Sequence, residues 1–193
     1  MSAISTQHTF DLTISDPGHA LFVESRLRLS YITNEPIERF FAKILAYGLN
    51  YSSDIEIVSD SSDQLEPLIF RKDLTGQYLS WIDIGCPSLK KLSKPARSHQ
   101  DPLIKIYFYR EGHLAEFLRE FRDFKNDILN KIQAYQLDPK FLSTLGLSLK
   151  RSSKLSMTII EDALYVELDG VSFDTIIPRV DLIGNADKKP LTE

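Results

Sequence analysis

The sequence predicts an α+β fold, and three patterns carry that prediction. Near the N-terminus, Phe10, Leu12 and Ile14 alternate with polar neighbours, the period of a half-buried strand. From Asn34 to Gly48, Ile37, Phe40, Phe41, Ile44 and Leu45 recur at helical spacing on one face. Towards the C-terminus, Leu155–Ile160 and Ala163–Leu168 are short apolar runs spaced to pair as a hairpin. Between these lies a stretch, Asn34 to Tyr109, that reads as helix, strand, strand, strand, helix, strand.

Taken in order, His8–Ser15 is the first strand. Asp16-Pro17-Gly18 marks a turn, and Ala20–Tyr31 is the partner strand of an N-terminal hairpin. Asn34 is a candidate N-cap for the first helix, Pro36 suits its first turn, and Gly48 is a stop signal. Asp54–Val58 is a short strand, and the polar run 59–64 is a loop. Pro67–Lys72 and Gln77–Ile84 are strands around the turn Leu74-Thr75-Gly76. Gly85-Cys86-Pro87 ends the second of them. Ser88 caps a short basic helix that runs to about Lys94, where Pro95 disturbs it. Leu103–Tyr109 is almost wholly apolar, as a covered central strand should be. Glu111 to about Leu129 is a second long helix with Leu114, Phe117, Phe121 and Phe124 on one side. Lys131–Leu137 is a further strand, and Asp138 opens a helix that reaches about Leu149. Residues 1–183 read as one domain, and 184–193 as a flexible polar tail.

Composition narrows the function classes. The 193 residues are 42% hydrophobic and 26% charged, an ordinary globular balance with enough chain for a core. A net charge of −4 does not suit a protein that coats nucleic acid. A local basic patch is still present at Lys90, Lys91, Lys94 and Arg97. Cys86 is the single cysteine, which excludes an intrachain disulfide and a cysteine-rich zinc site. No apolar run approaches membrane-spanning length, and the opening MSAISTQHTFDL lacks the pattern of a signal peptide. The expected location is the cytoplasm, with no membrane partner. Walker, G-x-S-x-G and G-x-G-x-x-G motifs are absent, and the four histidines show no metal-ligand spacing.

The chemistry rests on acids and lysines. Glu38 lies about 100° from Ile37 on the helical wheel, at the rim of the apolar arc, whereas Arg39 points about 200° away to solvent. Glu38 is either a functional carboxylate or a first-turn acid complementing the helix dipole. Asp83 sits in a strand, where Asp is depleted, on the face of Leu79 and Trp81. It is either buried and therefore paired, hydrogen-bonded or on a metal, or it lies at the strand end, meeting solvent or capping the next helix near Ser88. Glu66 stands just before the second strand. Carboxylates from these three places, a helix, a strand start and a strand end, suit one hard divalent cation, which prefers oxygen ligands. A cation beside lysines such as Lys90, Lys91 and Lys94 activates water and stabilises charge on a phosphate. The alternative for these lysines is a solvated basic face.

Four stretches resemble the YaeQ family of small bacterial proteins: FDLTISDP, Glu35-Pro36-Ile37-Glu38-Arg39 with FFAKILAYGL, Glu66-Pro67 through KDLTG to WIDIGCP, and SMTIIEDALYVEL. The resemblance spans nearly the whole chain. It implies a restriction-endonuclease-like core of the PD-(D/E)XK superfamily over about 34–109, flanked by the N-terminal hairpin and a C-terminal helix plus hairpin. It also implies a metal-dependent nuclease or phosphodiesterase, with Glu38, Glu66 and Asp83 as acids. Asp83 replaces the family's usual Glu, and Gly85 stands where the superfamily has its lysine. The lysine role then passes to Lys90, Lys91 or Lys94, of which Lys94 best fits the family position. The other reading is a module that binds nucleic acid or a protein partner and has lost cutting.

Overall fold

The computed structural model describes residues 5–58, 65–121 and 128–186. These fall into two compact units, each built from separated stretches of chain. The first holds 1–52 and 137–178, the second 53–136 and 179–193.

In the first unit, β1 (Ser5–Asp16) and β2 (Leu21–Ile32) form the expected hairpin, antiparallel throughout. Asp16 holds the turn between them, its carboxylate accepting the backbone N–H of His19. The C-terminal hairpin is also as expected, with β8 (Ser152–Ile160) antiparallel to β9 (Ala163–Leu168). Periodicity did not reveal that β8 lies parallel to β1, so both hairpins share one sheet. A further strand, β10 (Val171–Ile176), completes the order β10-β9-β8-β1-β2. Phe10, Leu12 and Ile14 of β1 are buried together with Leu155 and Met157 of β8, as the period-two pattern requires.

Helix α1 (Ile37–Leu49) packs on this sheet through Phe40 and Phe41, whose rings meet Phe10. Its start differs from expectation. Asn34 lies in a turn with φ of 79°, a left-handed geometry that Asn tolerates, and the helix begins after Pro36 without a side-chain cap. Gly48 does not stop the helix, which continues to Leu49. A Cβ there would lie 2.4 Å from the sulfur of Met157, so the glycine serves close packing. Every residue from Phe40 to Gly48 is buried, Lys43 included, although the sequence suggests one buried face. Lys43 is matched by Glu35, whose carboxylate also receives Arg39 at 2.6 Å. Arg39 is therefore ion-paired rather than simply solvated.

Helix α4 (Pro139–Leu147), capped by Asp138, packs against α1. Gly146 of α4 is the contact point, where a Cβ would come 2.5 Å from Cγ1 and 3.1 Å from Cγ2 of Ile37.

The second unit carries a six-stranded sheet in the order β11-β7-β6-β5-β4-β3. Strand β3 (Glu56–Ile57) is only a fragment of the expected Asp54–Val58. It pairs antiparallel with β4 (Ile69–Lys72), and β4 with β5 (Tyr78–Ile84). Strands β5, β6 (Leu103–Phe108) and β7 (Ile132–Gln136) are mutually parallel, so β6 is the covered central strand its apolar run indicated. Strand β11 (Arg179–Val180) closes the edge beside β7. Helix order and strand order between Ile37 and Phe108 match the helix–strand–strand–strand–helix–strand reading.

Helices α2 (Leu89–Ala96), α3 (His113–Phe121) and α5 (Leu182–Ala186) serve one face of this sheet. Their Leu92, Phe117, Phe121 and Leu182 form one core with Trp81, Ile104, Ile106 and Phe108. Pro95 does not break α2, because it falls in the last turn and leaves only one carbonyl without its helical donor. The expected loop at 59–64 and Phe124 of the expected long helix lie outside the described residues. Of the expected polar tail, 184–186 belong to α5, and the rest lies outside the described residues.

Gly146→Ala tests the α1–α4 contact. Helix propensity alone gives the alanine an advantage of up to about 1 kcal/mol. The approach of Ile37 reverses the sign, and denaturant unfolding is expected to show a loss of about 1–3 kcal/mol.

Candidate functional site

Asp83 lies near the end of β5, on the face covered by α2. Its side chain is almost wholly enclosed, with 2% of the residue exposed. The strand-end reading with solvent contact is thereby excluded, and the paired reading holds. One oxygen accepts the indole N–H of Trp81 at 2.9 Å, and the other accepts the Lys91 ammonium at 2.5 Å. The backbone N–H of Leu68 adds a third donor. Burial pushes the Asp83 carboxyl above the usual carboxylate range, opposed by the Lys91 charge and by the hydrogen bonds from Lys91, Trp81 and Leu68.

Glu66, three residues before β4, forms the second pair. It accepts the ammonium of Lys94 at 2.5 Å and the phenol O–H of Tyr78. Lys94 also lies over the rings of Tyr78 and Trp81, with its nitrogen 5.9 and 5.8 Å from their centroids. Tyr78 and Trp81 meet edge to face at 4.9 Å. The aromatic pair therefore links the two acids, donating to Glu66 at one end and to Asp83 at the other.

Lys91 and Lys94 occupy adjacent positions of the helix surface, three residues apart. Each neutralises one acid. Lys90 is exposed and forms no ion pair with any described residue, and Arg97 is likewise exposed on the C-cap of α2. Glu38 belongs to the first unit, where its carboxylate accepts the Ser143 hydroxyl at 2.6 Å.

Gly85 explains why no lysine follows Asp83 on the strand. Its φ is +87°, a region that L side chains rarely adopt, and a Cβ would lie 3.1 Å from Tyr109. The chain turns there, so cationic groups must come from α2.

A divalent cation requires oxygen donors, and Glu66 and Asp83 supply only carboxylate oxygens. Each carboxylate has about four lone-pair sites. Three donors engage Asp83 and two engage Glu66, leaving acceptor capacity on both. The donor set fits Mg2+ or Mn2+ in type, with the two ammonium groups as direct competitors.

Sequence reasoning did not find the hydrogen bonds that Tyr78 and Trp81 give to the acids. Nor did it join Cys86 to α3. The thiol of Cys86 donates to the carbonyl of His113 at 3.1 Å, and burial, reinforced by Glu116, pushes it up to about 12. A thiol held that high is not a nucleophile at neutral pH. The spacing of His113 and Glu116, one turn apart in α3, was the available signal.

This is a mixed α+β protein in which one short helix pairs two of its lysines with an acid in a sheet strand and an acid just before the neighbouring strand. The chain belongs to the YaeQ family, whose model, described as YaeQ protein, matches residues 1–176. The fold is shared with the YaeQ protein from Xanthomonas axonopodis pv. citri at a TM-score of 0.80 and 21% identity, covering 91% of this chain and 98% of that one. The crystal structure of YaeQ protein from Pseudomonas syringae is similar at 0.76 and 20%, over 92% and 96%. No curated protein matches. Among the described residues, no helix is long and apolar enough to cross a membrane.

Lys91→Met tests the pairing through pH. A carboxyl raised by folding contributes stability that is full below its unfolded pKa and is lost as pH rises through the folded value. Removing Lys91 raises Asp83 further, so the variant should match wild type most closely in acid. The deficit should open above the ordinary carboxylate range, towards the roughly 3–5 kcal/mol typical of an unpaired buried charge. Urea unfolding from pH 3 to pH 8 checks this, and a deficit independent of pH would contradict it.

Proposed function

We propose that this chain is a metal-dependent phosphodiesterase of the nuclease type, with the PD-(D/E)XK kind of core between Asn34 and Tyr109. The supporting observation is that lysines one turn apart on α2 hold Glu66 and Asp83, so both acids address the same short helix surface. A desolvated carboxylate with a specific cationic partner is a recognised mark of a functional site.

In this reading Glu66 and Asp83 hold Mg2+ or Mn2+. The ion supplies Lewis acidity towards a phosphoryl oxygen and lowers the pKa of bound water. The protein's own groups do the rest. Asp83 is held rigidly by Trp81 and Leu68, which keeps one acid in place when Lys91 moves aside. Lys91 and Lys94 remain beside the acids and stabilise negative charge that develops on the phosphate. The two acids and two lysines sum to zero, so a bound divalent ion makes the site doubly positive, which suits a phosphodiester anion. Lys90 and Arg97, exposed on the same helix, extend that charge towards a nucleic-acid backbone.

A second reading is favoured by one observation: all four carboxylate oxygens already take a donor in the lysine-paired arrangement. A non-catalytic nucleic-acid or protein interaction module would keep these pairs as structure.

Cleavage of single- and double-stranded DNA and RNA with Mg2+ or Mn2+ separates the two. The nuclease reading expects cutting by wild type that falls about 100-fold or more in Asp83→Asn and Glu66→Gln. Binding without cutting by folded wild type, unchanged in both variants, supports the module instead.

A further inference from the structure

The geometry points to a second metal site, which stands independently of Glu66 and Asp83: we propose that Cys86, His113 and Glu116 bind one Zn2+. Their ligand atoms, a sulfur, an imidazole nitrogen and a carboxylate oxygen, all lie within 4.8 Å of one another. Among the described residues no other set of three such groups does so. Zinc takes these three donor types at about 2.0–2.3 Å, which places neighbouring ligand atoms of a tetrahedron roughly 3.3–3.7 Å apart. The cluster is thus close to a coordination shell before any ion arrives.

The backbone around the cluster holds it in place. Gly85, with its positive φ, turns the chain so that Cys86 faces the start of α3. Its missing side chain admits the imidazole, because a Cβ at Gly85 would lie 3.6 Å from Cε1 of His113. His113 and Glu116 stand one helical turn apart at the start of α3, and His113 is buried. The thiol already donates to the His113 carbonyl.

Binding is a proton-coupled exchange. The Cys86 S–H bond breaks, its proton leaves to solvent, and the sulfur binds zinc as thiolate. Glu116 contributes one carboxylate oxygen. One ring nitrogen of His113 now accepts the Nε–H of Arg110 at 2.8 Å, and the other faces the backbone N–H of Tyr109 at 3.4 Å. Arg110 is exposed and leaves when the cation enters. The thiolate and carboxylate together balance the charge of Zn2+. A water molecule takes the fourth vertex, as at zinc sites with three protein ligands. The ion would tie the exit of β5 to α3, only three residues after Asp83.

Cobalt replaces zinc as the spectroscopic probe. Titration of the reduced full-length chain with Co2+ should give a thiolate-to-cobalt charge-transfer band in the near ultraviolet that saturates at one equivalent of thiolate-bound cobalt, and displacement of that band by Zn2+. The band should vanish in Cys86→Ser. Glu116→Ala, an exposed position that leaves the core untouched, should weaken binding about tenfold or more and keep the band. Absence of the band in folded wild type overturns the proposal, as does binding unaffected by Glu116→Ala. Cobalt bound at Glu66 and Asp83 would give no thiolate band and would count as that absence.

Discussion

A carboxylate buried at the end of a sheet strand must be matched in charge and hydrogen bonding, and Asp83 imposes that requirement on everything near it. An ionised carboxylate without partners is too costly to bury. Trp81 meets it by turning its indole N–H along the strand, which fixes the largest side chain of the second unit's core. Leu68 meets it from the start of the neighbouring strand. Lys91 meets it from α2, which sets the place of that helix on the sheet. Gly85 then has to turn the chain, because the space beyond Asp83 is taken by Tyr109. The site and the fold of this unit are therefore one arrangement.

Glu66 repeats the scheme with more exposure. Its partner Lys94 is half open to solvent, whereas Lys91 is largely enclosed. The two pairs thus differ in what they can do. The Asp83 pair is stiff and desolvated, and a charge there acts through little water. The Glu66 pair is loose and open, with the freedom to exchange partners. An entering cation would meet the open acid first and the rigid acid second. The first unit contains an analogous buried pair, Glu35 with Lys43, but both groups there are enclosed and fit a purely structural role.

What the sequence made legible was local. Alternation located β1, hairpin spacing located β8 and β9, and the apolar run of Leu103–Phe108 identified a covered central strand. Asp83, depleted from strands as a type, marked itself by being in one. The basic stretch after it holds Lys91 and Lys94, which pair with the two acids, a pairing that the spacing of the lysines alone did not disclose. What was hidden depends on distance along the chain. The parallel pairing of β1 with β8 joins segments more than 140 residues apart, and no periodicity encodes it. Lys43 falls outside the apolar arc of its helix, and only tertiary packing shows that it is buried against Glu35. Asn34 carried a capping residue's chemistry but took a left-handed turn instead. Cys86, dismissed as a lone cysteine, gains neighbours only once α3 is laid beside β5.

In the proposed function Glu66 and Asp83 act as one cation site whose resting counter-ions are Lys91 and Lys94. A crystal structure of the protein grown with Mn2+, recorded with anomalous diffraction, tests this directly. The account predicts an anomalous peak about 2.1 Å from oxygens of both Glu66 and Asp83, with the Lys91 ammonium moved off its oxygen. Both lysine pairs intact at saturating Mn2+, with no peak between the acids, would contradict it.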